Sequence, residues 1–302
     1  MNLHENTDFG RKVFFLNMSY DFQCAVIPAL FNKEYEVYEI NDYRRAKNIL
    51  KNYPDSICFI YVDKGLPLNE WFNFMASFED DPMLSTIFLG IVSSKLDNAQ
   101  KIHFLMQSVV PAGFVGLDQS DEDIIEQIRS ILDLNGAKGR RRFVRADSID
   151  DPKIGVFFDF GDNRFVMKIK SISSAGISCV APAKYASLFK VNMLVREFTL
   201  IIHNKTYKCS AAVLMATVND EKLTIVLVFT QSIGYSVRAS IKEFVRIFLQ
   251  GKIAKMELEV EPDLTDYSVS KNEEYILPAE EVEDEIDEIL EEKNITNIDE
   301  FY

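Results

Sequence analysis

Lys138-Gly139-Arg140-Arg141-Arg142-Phe143-Val144-Arg145 divides the chain into two parts of different texture. Four arginines and a lysine fall within eight positions of a 302-residue chain whose formal net charge is −14. No other stretch concentrates positive charge in this way. Arginine presents a planar fork of donors that fits phosphate oxygens and the O6/N7 edge of guanine. The block therefore reads as an anion-gripping hinge where one module hands over to the next.

Before the block, from 11 to 134, short apolar runs alternate with helical periods. Residues 13–16, 36–40, 56–62, 86–92 and 113–117 read as strands, and 21–31, 43–52, 69–78, 99–109 and 121–134 as helices. In the last of these, Ile124, Ile125, Ile128, Ile131 and Leu132 share one side. Ser120 is placed to cap it, and Asp121, Glu122 and Asp123 lie at the positive end of its dipole. Five strands alternating with five helices predict an open, mostly parallel, doubly wound α/β sheet.

After the block, strand candidates follow one another closely at 154–160, 164–169, 177–180, 197–203, 207–217 and 223–230. Turn signals separate several of them, at 161–163, 203–205 and 218–220. Six strands without intervening helices predict a small antiparallel β-barrel. Ile241, Phe244, Val245, Phe248 and Leu249 then recur at helical spacing, and Gly251 is expected to stop this helix, a lid on the barrel. The domains are placed at 11–134, 135–255 and an acidic, disordered tail at 256–302. Within that tail, 271–302 carries 13 acidic residues against 2 lysines, most of the chain's negative charge. Val282, Ile286, Ile289 and Leu290 recur there at helical spacing, as a partner-binding helix would require.

Several function classes are excluded as expectations. No apolar run approaches the roughly 18 residues of a membrane span, and residues 1–10 lack the apolar core of a signal peptide. Cys24, Cys58, Cys179 and Cys209 are scattered without metal-ligand spacing, and are expected to be reduced, buried thiols of a cytoplasmic protein. His4, His103 and His203 are dispersed, and no Ser/His/Asp or Cys/His set or glycine-rich phosphate loop is evident. Neither an enzyme nor a cofactor or metal is therefore expected. A chain this acidic disfavours loose binding to long nucleic acids, which makes the arginine block a local site for a small anion.

The first part resembles the receiver domain of two-component response regulators. The resemblance is carried by Tyr61-Val62-Asp63-Lys64-Gly65-Leu66-Pro67, with an Asp closing the third strand and a Pro four positions on. It implies a phosphoryl acceptor at Asp63, but the companion positions depart from the pattern. Asn17-Met18-Ser19 stands where receivers carry an acidic pair for magnesium, and Gly116-Leu117-Asp118 where they carry a lysine. Ser93 or Ser94 takes the place of the hydroxyl residue after the fourth strand. Phosphoryl transfer needs its developing charge neutralised, so with one acid and no lysine the segment reads as a pseudo-receiver.

The block and the barrel resemble the PilZ domain, a bacterial receptor for cyclic di-GMP, over about 139–251. Arg141-Arg142-Phe143-Val144-Arg145 fits its RxxxR motif, and Ser171-Ile172-Ser173-Ser174-Ala175-Gly176 fits (D/N)xSxxG except at Ser171. The resemblance implies cyclic di-GMP as ligand, held by Arg140, Arg141, Arg145, Ser171, Ser173 and Gly176, with Arg140 favouring a stacked ligand dimer. An Asp at the first motif position would accept from guanine N1–H and N2–H2. Ser171 offers one weaker acceptor, so reduced affinity is expected. The implied function is a bacterial, cytoplasmic, non-enzymatic effector, with motility as an output. Ligand would draw a disordered arm at 140–145 onto the barrel, reorient the two domains and so control an unidentified partner protein. The alternatives are a response regulator phosphorylated on Asp63, and a PilZ-like scaffold that binds no nucleotide.

Overall fold

The buried apolar runs of the first half become strands β1 (Val13–Leu16), β2 (Val37–Ile40), β3 (Ile57–Tyr61), β4 (Phe88–Ser93) and β5 (Phe114–Gly116). Between and after them come helices α1 (Tyr20–Asn32), α2 (Tyr43–Leu50), α3 (Leu68–Ala76), α4 (Asn98–Gln107) and α5 (Asp121–Leu134). Every side chain of β1 is buried, as is expected of a strand covered on both faces. The sheet runs β2-β1-β3-β4-β5, with β1, β3, β4 and β5 paired in parallel. This is the receiver-like, doubly wound order, whose direction of winding reverses between β1 and β3. At that switch point Asn17, with φ 63°, donates from Nδ2 to the Lys64 carbonyl at 3.0 Å. Ser120 caps α5, its hydroxyl accepting from the Asp123 amide at 3.3 Å.

In this computed structural model, residues 10–107, 110–147, 154–160, 163–202 and 205–268 are described. The turn signals at 161–162 and 203–204, and the partner helix expected near Val282–Leu290, lie outside them. The chain forms two compact units: Arg11–Val26, Glu39–Ala137 and 259–268 in one, Ile27–Tyr38 and Lys138–Leu258 in the other.

The second unit contains β6 (Arg145–Asp147), β7 (Ile154–Phe160), β8 (Asn163–Ser173), β9 (Gly176–Pro182), β10 (Leu194–Ile202), β11 (Lys205–Asn219), β12 (Lys222–Phe229) and helix α6 (Tyr235–Glu259). The order β8-β7-β10-β11-β12-β9, with β9 also paired to β8, closes a six-stranded antiparallel barrel. Closure leaves no long free edge. Alternate residues fill the interior: Val156 and Phe158, Phe198 and Leu200, Ala211 and Val213, Ile225 and Leu227 are all buried. β6 pairs with the last three residues of β8, on the edge that β9 does not occupy.

Three expectations are corrected. Gly251 does not end the last helix, which runs on to Glu259, because Ile253 is fully buried beyond it alongside Ile241, Phe244, Val245 and Leu249. The acidic tail does not begin at 256, since 260–268 packs within the unit of the parallel sheet. There Tyr267 is buried, with its ring 5.4 Å from that of Phe74, and its hydroxyl accepts from Lys47 Nζ at 2.6 Å. Asn48 and Asn73 donate to the carbonyls of Glu261 and Tyr267 at 2.8 and 2.7 Å. Lastly, Cys24 is exposed, while Cys58, Cys179 and Cys209 are buried.

Candidate functional site

The second half of β8 turns its serines outward because of an irregularity. Up to Ile169 the buried residues are Met167 and Ile169, so strict alternation would send Ser171 and Ser173 into the core. The register against β9 shifts between Ile169 and Ser171, leaving Lys170 as the extra residue of a bulge. Beyond it Ile172 takes the core position, 1% exposed, and Ser171 and Ser173 lie on the opposite face, Ser171 nearly covered there at 8% exposed and Ser173 half-buried.

Two rows of side chains then cross three strands. Arg145 lies opposite Ser173, which lies opposite Gly176. Asp147 lies opposite Ser171, which lies opposite Ser178. Directly opposed residues of antiparallel strands place their Cβ atoms about 4.5–5.5 Å apart on one face. The pairing thus brings Arg145 of the first motif directly opposite Ser173 of the second, with Ser171 diagonal to it. It also corrects the expectation of a wholly disordered arm. The end of the arm is a strand, held by its ladder to β8 and by the buried methyl of Ala146.

A groove of about 480 Å³ runs over these rows. It is lined by Arg141, Arg142, Phe143, Arg145 and Lys170, by Ser171, Ser173, Gly176 and Ser178, and by the β12 segment Val226–Val228. Phe143 is 43% exposed, a free aromatic face among guanidinium groups. Ser173 Oγ accepts from the Ala175 amide at 3.3 Å and so also shapes the β8–β9 turn. Gly176 is fixed by the barrel itself: a Cβ there would lie 2.1 Å from the Leu227 carbonyl oxygen.

Glu34 tethers the arm within the same unit. Its carboxylate accepts from the Val144 amide at 2.9 Å and from the Ser174 hydroxyl at 3.1 Å, and pairs with Lys242 Nζ at 2.6 Å. Arg238 donates to the Ser174 and Thr230 carbonyls at 2.7 and 2.9 Å, holding the β8–β9 turn to the start of α6.

No family model and no curated protein matches the chain. Among solved structures it is similar to the K. pneumonia MrkH–c-di-GMP complex, at 14% identity and TM-score 0.35, over 39% of this chain and 56% of that one. It is similar to YcgR from Escherichia coli in complex with c-di-GMP, at 14% identity and TM-score 0.31, over 40% of this chain and 50% of that one. It is also similar to a response regulator from Desulfuromonas acetoxidans, at 12% identity and TM-score 0.34, over 41% of this chain and 98% of that one. The chain thus spans about half the length of the first two. At these scores the likenesses add nothing to what strand order and register show.

Of the six residues expected from sequence, the groove gathers Arg141, Arg145, Ser171, Ser173 and Gly176, and Arg140 does not line it. It adds Arg142, Phe143, Asp147, Lys170 and Ser178, together with the β12 segment. The adjoining positions of the arm were visible in sequence, but the β9 and β12 residues reach the groove only through barrel closure.

The second candidate, Asp63, is engaged on both carboxylate oxygens. Ser93 donates to one, and the Ser94 amide and hydroxyl donate to the other at 2.8 and 2.7 Å. Burial alone would raise its pKa, but these donors and Lys95 outweigh it and hold the carboxyl below its ordinary value. The neighbouring Lys64 Nζ donates to the Met18 carbonyl at 3.0 Å. Among the described residues no group of three or more His, Cys, Asp or Glu is placed to hold a metal ion, and no helix is long and apolar enough to cross a membrane.

Proposed function

We propose that the barrel groove binds cyclic di-GMP and that the chain is a non-enzymatic bacterial effector. The observation that carries this is the β6–β8–β9 register, which sets Arg145 in one row with Ser173 and Gly176 in a groove also lined by Arg141, Arg142 and Phe143. The ligand carries two phosphates and two guanines, and arginine forks suit phosphate oxygens and the guanine O6/N7 edge alike. Phe143 offers a face on which a purine stacks.

With Arg145 already in a strand, the part of the arm without a regular element is 138–144, tethered at Val144 by Glu34. That segment begins where the chain passes from one compact unit to the other, at Ala137–Lys138. Ligand capture by Arg141 and Arg142 would rearrange this link and change the surface presented to a partner protein, with motility as a candidate output and the cytoplasm as the setting.

Calorimetric titration with cyclic di-GMP tests the reading. The parent chain is expected to bind at micromolar concentration, and Arg141→Ala and Arg145→Ala to weaken binding by about 10- to 100-fold each, the worth of a bidentate contact. No heat from the folded parent overturns it in favour of a scaffold that binds no nucleotide.

A further inference from the structure

Resting on the cyclic di-GMP reading, we propose that Asp147 reads the N1–H/N2–H2 edge of a bound guanine, supplying from β6 the carboxylate that β8 lacks at Ser171. Arg141, Arg142, Arg145 and Lys170 line the groove, and Asp147 is the only acid among its described lining residues. A site for phosphate alone gains nothing from a carboxylate, which repels the anion. A site for guanine does gain, because the base presents acceptors on its O6/N7 edge and a donor pair on its N1/N2 edge.

The backbone places the group well. Asp147 lies opposite Ser171 in the β6–β8 ladder, so the two side chains share a face about 4.5–5.5 Å apart at Cβ. Arg145 lies on that same face two residues earlier, about 6.7 Å along the strand, a separation that suits two residues addressing two edges of one purine. The strand is pinned on either side of the carboxylate's reach. Ala146 is fully buried, and the Asp147 carbonyl accepts from Lys252 Nζ at 3.2 Å. The Asp147 side chain is exposed, and its carboxylate makes no hydrogen bond or ion pair with another described residue. Against adenine the same carboxylate would face the unprotonated N1, so it also rejects the wrong base.

The test is calorimetry on the full chain with cyclic di-GMP, cyclic di-AMP and cyclic di-IMP, the last lacking the N2 amino group. The proteins are the parent, Asp147→Ala, and the double variant Asp147→Ala/Ser171→Asp. Asp147→Ala is expected to weaken cyclic di-GMP by about 10- to 100-fold, to narrow the preference over the other two ligands, and to leave the unfolding midpoint unchanged. Ser171→Asp, one strand across in the same row, is expected to restore part of both. Unchanged or tighter cyclic di-GMP binding by Asp147→Ala overturns the assignment, since the carboxylate would then only repel phosphate. A parent that binds none of the three ligands overturns the receptor reading itself, and this assignment with it. A parent that binds cyclic di-GMP and cyclic di-AMP equally overturns the role of Asp147 but not the site.

Discussion

Gly176→Ala separates what the barrel requires of the second motif from what a ligand requires. The added methyl would stand 2.1 Å from the Leu227 carbonyl oxygen and 3.2 Å from Val228 Cα, whereas real Cβ contacts almost never fall under 3.0 Å. The obstacle is backbone, so no rotamer change relieves it. β9 must move off β12 by about 1 Å at this point, which breaks the pairing of Gly176 with Val228 and strains that of Ile177 with Leu227. Losing about two ladder hydrogen bonds at roughly 1 kcal/mol each, with some overpacking strain, gives a cost of about 2–3 kcal/mol. For a barrel unit of this size that lowers the midpoint by about 6–15 °C. Scanning calorimetry would show the barrel's transition move by that amount while the transition of the parallel-sheet unit stays in place. A midpoint within about 2 °C of the parent, with ligand binding lost, would refute the packing role and leave Gly176 as a purely ligand-facing residue.

Deleting Lys170 should remove the bulge yet leave Ile169 and Ile172 inward and Ser171 and Ser173 on the groove face, because the residues flanking Lys170 then alternate regularly. Cyclic di-GMP binding should weaken only by the loss of one lining cation, by less than about 10-fold. Since no hydroxyl moves into the core, urea titration should show the barrel within about 1 kcal/mol of the parent. Loss of binding with a destabilised barrel would refute the bulge as the cause of the serines' orientation. Glu34→Gln should loosen the Val144 amide and Ser174 hydroxyl from their shared acceptor and weaken ligand binding about 3- to 10-fold. A shorter protection time for the Val144 amide in hydrogen exchange checks the cause. Asp263 is the site of an acid-sensitive contact. Burial alone would raise its pKa, but the Thr265 and Tyr267 donors and Lys47 bring it down to about 2. A carboxyl depressed in the folded state stabilises above its unfolded value and loses that effect as pH falls through the folded one. The 260–268 segment should therefore release between about pH 4 and pH 2, costing on the order of 2 kcal/mol or less, and Asp263→Asn should flatten that limb of the stability curve.

Much of the architecture was written locally. The continuous apolar runs at 13–16 and 57–61, the period of α5 and its Ser120 cap each reflect interactions within a few residues, so periodicity and capping chemistry disclose them. The two motifs that meet in the groove were legible for the same reason: arginines and serines were countable where they stood. The last helix was misread at Gly251 because a glycine's cost in a helix is about 1 kcal/mol, less than the burial of Ile253 returns. Likewise the 260–268 segment looked like solvated tail because its partners, Lys47 and Asn73, lie about 200 residues away.

The sequence alone determined that a parallel α/β unit precedes an antiparallel barrel, that an arginine cluster stands at their junction, and that Asp63 lacks the acidic and basic companions of a phosphoryl site. Tertiary structure decided which faces those residues present. Side chains alternate with a period of two, so a one-residue offset reverses every orientation after it. The bulge at Lys170 is such an offset, set by the pairing of β8 with β9 and by nothing in β8 itself. Register with β8 also placed Asp147 beside Ser171, and a fold contact across 110 residues set Glu34 under Val144. Those relations depend on which strand lies alongside which, and that is settled only when the barrel closes.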